Sequence, residues 1–210
     1  NGLMKKTTLE AYSHPRANGI IALGLREGDQ LIGVTLTDGE SEMLIASHNG
    51  KVVRFNESTV RPMGRNASGV RAIKLDEDGV DSAVGMICVE KGSHKTVLVI
   101  SEKGFGKRTV LDDENGEPIY RVTNRGGKGV KTMNLTDKTG LLIGIDAVTD
   151  DDDLMLITKS GTAIRMAIDT IRVMGRATQG VRLIDLEKRN DHIGSVCKVT
   201  TEEEEEAEVK

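Results

Sequence analysis

The chain has 210 residues, with 29 basic and 33 acidic side chains, 2% aromatic residues, no Trp and two Cys. This excludes a disulfide framework and a zinc site built on Cys/His spacing, and no apolar stretch approaches the ~18 residues of a membrane-spanning helix. The formal charge of −4 sits at one end: residues 202–210 hold six Glu and one Lys, which leaves 28 basic against 27 acidic residues, or +1, for the body.

With so few aromatics the core must be aliphatic, built from Val, Ile, Leu and eight Met. Cys88 and Cys197 as isolated thiols suggest a reducing, cytoplasmic setting. The first residues, Asn1-Gly2, resemble the middle of a hairpin turn, as though a longer chain had been cut there. In chain order, Gly19-Ile-Ile-Ala-Leu opens an aliphatic run, and Ile32-Gly33-Val34 is a glycine between apolar residues. Met43-Leu-Ile-Ala and Lys51-Val-Val-Arg-Phe flank Ser47-His-Asn49-Gly50, the signature of a tight type I′ hairpin. Gly69-Val-Arg-Ala-Ile and Val84-Gly85-Met86 follow. The sequence repeats with Thr96-Val-Leu-Val-Ile, a Lys103-Gly104 turn and Phe105-Gly-Lys-Arg-Thr, then a polar stretch, Leu111 to Arg121, read as a surface loop. Next come Gly129-Val-Lys-Thr-Met, Ile143-Gly144-Ile145 and an acidic loop at Asp150 to Asp153. Leu154-Met-Leu-Ile and Thr162-Ala-Ile-Arg-Met flank Lys159-Ser-Gly161. Asp169 to Met174 suits a single helical turn; Gly180-Val-Arg-Leu-Ile and Ile193-Gly194-Ser195 close the series. The run Glu202 to Glu206 reads as a solvated, disordered end.

These elements form four repeats. Hairpin glycines stand at 2, 50, 104 and 161, spaced 48, 54 and 57 residues apart, in the range of propeller blades. Each repeat supplies about four strands, the content of one blade. We therefore expect an all-β, propeller-like array of about four four-stranded blades over residues 1–201, with repeats near 1–46, 47–100, 101–157 and 158–201 and an acidic tail at 202–210. Asp76-Glu-Asp-Gly79-Val-Asp81 and Asp112-Asp-Glu-Asn-Gly116 do not complete a calcium loop, so no metal is expected. His14, His48, His94 and His192 are scattered with no adjacent nucleophile, so no catalytic residue is assigned.

Alignment of the repeats exposes cations in columns. Lys6, Arg54, Arg108 and Arg165 each stand four residues after a hairpin glycine, with Lys107 beside Arg108. Arg65, Arg125 and Arg176 stand four residues before the second glycine, with Arg16 near the equivalent place. Arg71, Lys131 and Arg182 stand two residues after it, where Ile21 breaks the column. On a propeller each column becomes a band round the rim, suited to a polyanion on a curved path such as duplex DNA. Alanine at Arg54, Arg108 and Arg165 together is expected to weaken such binding. The opposing reading is that these cations pair with neighbouring Asp and Glu. In Arg125-Gly126-Gly127-Lys128-Gly129, two glycines between cations are expected to bring backbone N–H groups close to a phosphate.

The repeats, with Asn49-Gly-Lys-Val-Val-Arg-Phe, Val60-Arg-Pro-Met-Gly-Arg, Gly104-Phe-Gly-Lys-Arg-Thr and Met174-Gly-Arg-Ala-Thr-Gln-Gly-Val, resemble the C-terminal domain of bacterial DNA gyrase A over nearly all of residues 1–200. The resemblance implies a β-pinwheel whose blades exchange a strand with their neighbours and whose basic perimeter wraps duplex DNA. The ATP-driven holoenzyme can then introduce negative supercoils. It implies a non-catalytic domain with no cofactor of its own, ATP and Mg belonging to other domains. The implied partners are DNA, the N-terminal region of gyrase A and the gyrase B protein, in the cytoplasm at the chromosome, with no membrane. That family usually has about six blades, and its signature Gln-Arg-Arg-Gly-Gly-Lys-Gly is only partly matched, in a later repeat, at Asn124 to Gly129. Neither Tyr12 nor Tyr120 matches the setting of the parent enzyme's catalytic tyrosine. The alternatives are the corresponding domain of topoisomerase IV and a propeller that binds proteins, the latter disfavoured by the lack of aromatic anchors. Single-stranded nucleic acid is disfavoured too, because Phe55 and Phe105 read as core. The Glu tail is a candidate competitor for the basic rim.

Overall fold

Aliphatic runs separated by glycine turns give thirteen short strands and no α-helix in the computed structural model, which describes residues 1–77, 79–187 and 190–200. The acidic tail lies outside the described residues. The strands are β1 (Leu3–Met4), β2 (Glu42–Ser47), β3 (Lys51–Asn56), β4 (Val70–Arg71), β5 (Ala83–Val89), β6 (Thr96–Ser101), β7 (Phe105–Val110), β8 (Val130–Lys131), β9 (Leu142–Val148), β10 (Asp153–Thr158), β11 (Ala163–Ala167), β12 (Val181–Arg182) and β13 (Ile193–Val199). They form four antiparallel sheets, ordered β1-β4, β5-β2-β3-β8, β9-β6-β7-β12 and β13-β10-β11.

The unbroken apolar runs follow from stacking. A central strand covered by sheets on both faces needs apolar residues at every position. Alternate residues of β2 and β3 accordingly serve different cores: Met43, Ile45, Val53 and Phe55 pack with Ala72 and Ile73, whereas Leu44, Ala46 and Val52 pack with Val97, Val99 and Tyr120. The last sheet has a neighbour on one face only. There Leu154 and Leu156 are buried while Ile157 remains 39% exposed.

Three of the hairpins close differently from the type I′ expectation. Among the described residues the only non-glycine with positive φ is Asn190, so Asn49 does not take a type I′ conformation. Instead the Gly50 N–H donates to the Ser47 carbonyl at 2.9 Å and Gly50 takes φ +73°, a type I turn followed by a left-handed glycine. Gly104 to Ser101 and Gly161 to Thr158 repeat the bond, each at 3.0 Å.

Strand exchange organises the molecule. After each hairpin the chain crosses to the preceding sheet, adds a two-residue strand to its edge, and returns beside its own hairpin. Thus β4 pairs β1, β8 pairs β3 and β12 pairs β7, while β5, β9 and β13 pair β2, β6 and β10. Since each hairpin lies whole within one sheet, the sheets divide ahead of the hairpins and not at their turns. The returning strands gather on one side: a Cβ on Gly85 would meet Ile145, and one on Gly144 would touch Val196. The exchanged strands β8 and β12 lie at the opposite edge of their sheets.

The repeats are not equally complete. Two sheets have four strands, one has three and one has two. The first repeat departs most from expectation: residues 13–41 form no strand. The 111–121 stretch is a loop only at its tip. Leu111 and Tyr120 are buried, and the Tyr120 hydroxyl is 2.6 Å from Thr132 Oγ1. A 3-10 turn spans Ile168–Thr170, overlapping the expected helical turn, and Phe55 and Phe105 are both core residues.

Candidate nucleic-acid interface

The segment that crosses between sheets carries most of the predicted cations, and its backbone bonds decide which face inward. In three repeats it meets the preceding hairpin at the fourth residue after the glycine. Lys6, Arg54 and Arg108 accept through their carbonyls from the N–H groups of Met63, Thr123 and Met174, each at 2.8 Å. Two of the three side chains are buried there, and Lys6 is half-buried. Arg54 and Arg108 are 7% and 5% exposed.

Arg54 uses its donors within the protein. Nε donates to Glu42 at 2.6 Å, and Nη1 to Asp112 at 2.9 Å and to the Tyr120 carbonyl at 3.0 Å. Burial alone would lower its pKa; Asp112 and Glu42 outweigh that and hold it above the ordinary arginine value. Arg108 donates to the Ile171 carbonyl at 2.8 Å and to Asp150. Lys6 donates to the Glu57 carbonyl at 3.1 Å. Arg165 is exposed, with Nε 2.6 Å from Asp153. The first predicted column is thus largely a set of internal ties, which corrects the expectation that it forms a band on the rim.

Lys107 is also turned inward. It is fully buried and donates to the carbonyls of Gly175 at 2.6 Å and Arg176 at 2.5 Å. Burial, with a smaller contribution from Arg176, pushes its pKa down to about 8. Lys5, at the same place in the first repeat, donates to the carbonyls of Arg65 and Ala22. Val53 occupies that place in the second repeat. A recess of about 450 Å³ opens there, lined by Val53, Arg121, Arg125, Gly127 and Lys128.

The second column joins the repeats. Nη1 of Arg65, Arg125 and Arg176 donates to the carbonyls of Ile21, Arg71 and Lys131 at 2.9, 3.1 and 2.8 Å. Each acceptor is the third-column residue of the preceding repeat, including Ile21. These three arginines are half-buried as whole residues.

The third column is exposed. Arg71, Lys131 and Arg182 end the exchanged strands β4, β8 and β12, away from the returning strands. Lys131 Nζ lies 3.5 Å from Asn134 Oδ1. Arg182 pairs with Asp185 at 3.2 Å and Glu187 at 3.0 Å and lies 5.5 Å from the Phe105 ring centroid.

A fourth column escaped the sequence reading. Arg61, Arg121 and Arg172 stand eight residues before the second glycine, and all are exposed. Each follows a buried anchor: Val60, Tyr120 or Ile171. The signal that reveals it lies four residues upstream of Arg65, Arg125 and Arg176, where the same spacing to the glycine recurs three times.

The Gly126-Gly127 turn differs from expectation. The Gly126 N–H donates to the Ala72 carbonyl at 2.6 Å, and the Gly127 carbonyl accepts from the Lys74 N–H at 2.8 Å. Those groups join repeats and do not point at a ligand, which leaves the exposed Lys128 side chain as the turn's outward cation. Gly126 has φ +80°, in the left-handed region that favours glycine.

The family described as DNA gyrase C-terminal domain, beta-propeller, matches residues 1–38, 41–90, 95–149 and 152–196. The DNA gyrase A protein of Staphylococcus aureus strain MRSA252 is 42% identical over 207 residues, covering 99% of this chain and 22% of that protein. The chain therefore spans about a fifth of the length of that relative. Among solved structures, the C-terminal domain of DNA topoisomerase IV has a TM-score of 0.84 at 27% identity, covering 96% of this chain and 60% of that one. The DNA gyrase A C-terminal domain has a TM-score of 0.73 at 26% identity, covering 87% and 58%. Four consecutive matches, one per repeat, establish that the chain belongs to the DNA gyrase C-terminal domain family.

Proposed function

We propose that this chain binds duplex DNA without sequence preference along the outer edge of its blades, and bends it, as a non-catalytic part of an ATP-driven gyrase. The observation that carries this reading is the repetition of exposed cations on three consecutive crossing segments: Arg61 with Arg71, Arg121 with Lys128 and Lys131, and Arg172 with Arg182. Such a series neutralises phosphates at regular intervals and releases their counterions on binding. The buried Arg54, Lys107 and Arg108 support it indirectly, by holding the crossing segments that present the outer cations.

Gyrase is favoured over topoisomerase IV by sequence: 42% identity to gyrase A against 27% to the topoisomerase IV domain, although the latter superposes better. ATP and Mg would act on other domains, the partners being the N-terminal region of gyrase A and the gyrase B protein. The setting would be the cytoplasm, at the bacterial chromosome. Among the described residues no helix is long and apolar enough to cross a membrane, which says nothing of β-barrels.

Fluorescence anisotropy with a linear duplex, titrated across salt, tests the reading. Replacing Arg61, Arg121 and Arg172 together by Ala should weaken binding about tenfold at low salt and reduce the slope of log K against log salt by about 3. An unchanged slope would overturn the assignment. Ligation of the bound DNA into circles, with the writhe read from topoisomer distribution, tests the bending.

A further inference from the structure

Beyond residue 41 the surface carries few large apolar side chains: among the described residues only Val80, Val122, Ile157 and Val173 are exposed. Two of these four, Val122 and Val173, occupy the same place in successive repeats, and both are 46% exposed. Each directly follows an outer arginine, Arg121 or Arg172, and Pro62, also exposed, follows Arg61. Apolar residues scattered singly over a surface need no explanation, but an exposed cation and an exposed apolar residue paired at every crossing segment do.

The backbone fixes how each pair is presented. Pro62, Val122 and Val173 form parallel bridges with Lys6, Arg54 and Arg108. In such a bridge the flanking residues supply the hydrogen bonds: the Arg172 carbonyl accepts from the Arg108 N–H at 3.2 Å, and the Met174 N–H donates to the Arg108 carbonyl at 2.8 Å. The N–H and C=O of Val173 therefore point away from β7, toward the rim. Val122 is placed in the same way by its bridge to Arg54 and by the 2.8 Å bond from the Thr123 N–H to the Arg54 carbonyl. Extended backbone accounts for a β-branched residue here but not for an apolar one; Thr would fit it as well and expose less apolar surface.

We propose that Val122 and Val173 pack their exposed methyl groups on deoxyribose rings of the bound duplex, which gives the interface an apolar part that salt does not screen. The inference rests on the DNA-binding reading above and deepens it. Each site offers a nucleotide three complementary groups: the guanidinium of Arg121 or Arg172 and the outward N–H of the valine for phosphate oxygens, and the valine methyls for the adjoining sugar carbons. Charge selects this occupant over an apolar protein segment, which would strip water from the neighbouring arginines without pairing them. Burying methyl groups releases no counterions, so it moves the intercept of log K against log salt and not the slope. Pro62 has no N–H to donate, so the first repeat lacks one of the three groups.

The test uses the whole chain and a linear duplex, with binding read by anisotropy across a salt series. Val122→Ala with Val173→Ala should weaken binding about tenfold at every salt concentration and leave the slope unchanged. Val122→Ile with Val173→Ile, which opens no cavity, should tighten it about threefold. Isothermal titration at several temperatures gives a second readout: the heat capacity change on binding should be less negative for the Ala pair than for the unmodified chain. Equal affinities for the unmodified chain and both pairs, or a loss in the Ala pair that appears as a lower slope, would overturn the proposal. The underlying DNA reading fails differently. If replacing Arg61, Arg121 and Arg172 leaves the slope as it was, the duplex is not held at this edge and both readings fall; if that slope drops while the valine pairs change nothing, the edge binds phosphate alone and only the apolar contact is lost.

Discussion

Arg108 and Arg172 are joined by a backbone hydrogen bond of 3.2 Å, yet they occupy opposite environments. Arg108 is 5% exposed and bonded to backbone carbonyls and Asp150, while Arg172 stands in solvent. The same contrast recurs between Arg54 and Arg121 one repeat earlier. Two arginines joined through their backbones therefore do different work. The inner one fixes where the crossing chain lies; the outer one is what that chain displays. Charge near a proposed DNA-binding edge has to be sorted by burial before it is counted toward phosphate.

The comparison breaks most clearly at Arg54. Arg54→Ala leaves Glu42 and the Tyr120 carbonyl without their donor, and removing one partner of a buried pair costs about 3 kcal/mol or more. Urea unfolding should show that loss, while the salt slope of DNA binding by the molecules that remain folded should not change. If stability stayed and the slope fell, the division into inner and outer cations would be wrong.

Lys107 sharpens it by pH. Its folded-state pKa, about 8, lies below the ordinary lysine value of 10.5, so between those values the unfolded chain binds more protons than the folded one. Stability should therefore rise as pH increases from 8 to 10, by about 2 kcal/mol from this group. Lys107→Met should flatten that rise in denaturation curves measured across the window.

The outer cations should show smaller effects of the opposite kind. Arg121→Ala alone should cost a few-fold in duplex affinity, lower the salt slope by about 1 and leave the unfolding midpoint within the error of a surface substitution. Least of all, Asp185→Asn should tighten DNA binding slightly at low salt, because in the proposed complex Asp185 and Glu187, which pair with Arg182, would compete with phosphate for it. Anisotropy at two salt concentrations would show both.

The repeat, the strands and the turn glycines were legible because each has a local cause: aliphatic runs for strands, and positive φ at Gly50, Gly104 and Gly161. The sides of the strands were not. Lys51, Val52, Val53 and Arg54 sit on a strand covered on both faces, so the alternation that marks an exposed face is missing, and Arg54 looked like surface. Asn49-Gly50 suggested a two-residue turn because the dipeptide favours one; the ladder, ending at Ala46 and Val52, selected the longer turn. Arg61, Arg121 and Arg172 lie too far from the glycines to be caught with the nearer columns, and their exposure depends on anchors such as Tyr120, whose burial is set by packing between sheets.

The exchanged strands also impose an order in time. Leu3 waits for Arg71, Lys51 for Lys131 and Phe105 for Arg182, separations of 68, 80 and 77 residues. As the chain leaves the ribosome, a hairpin stays unfinished until the whole of the next repeat has emerged, with one edge open to wrong partners in the meantime. Synthesis rate and chaperone access should therefore govern the yield of this molecule more strongly than they would for a row of self-contained sheets of the same size.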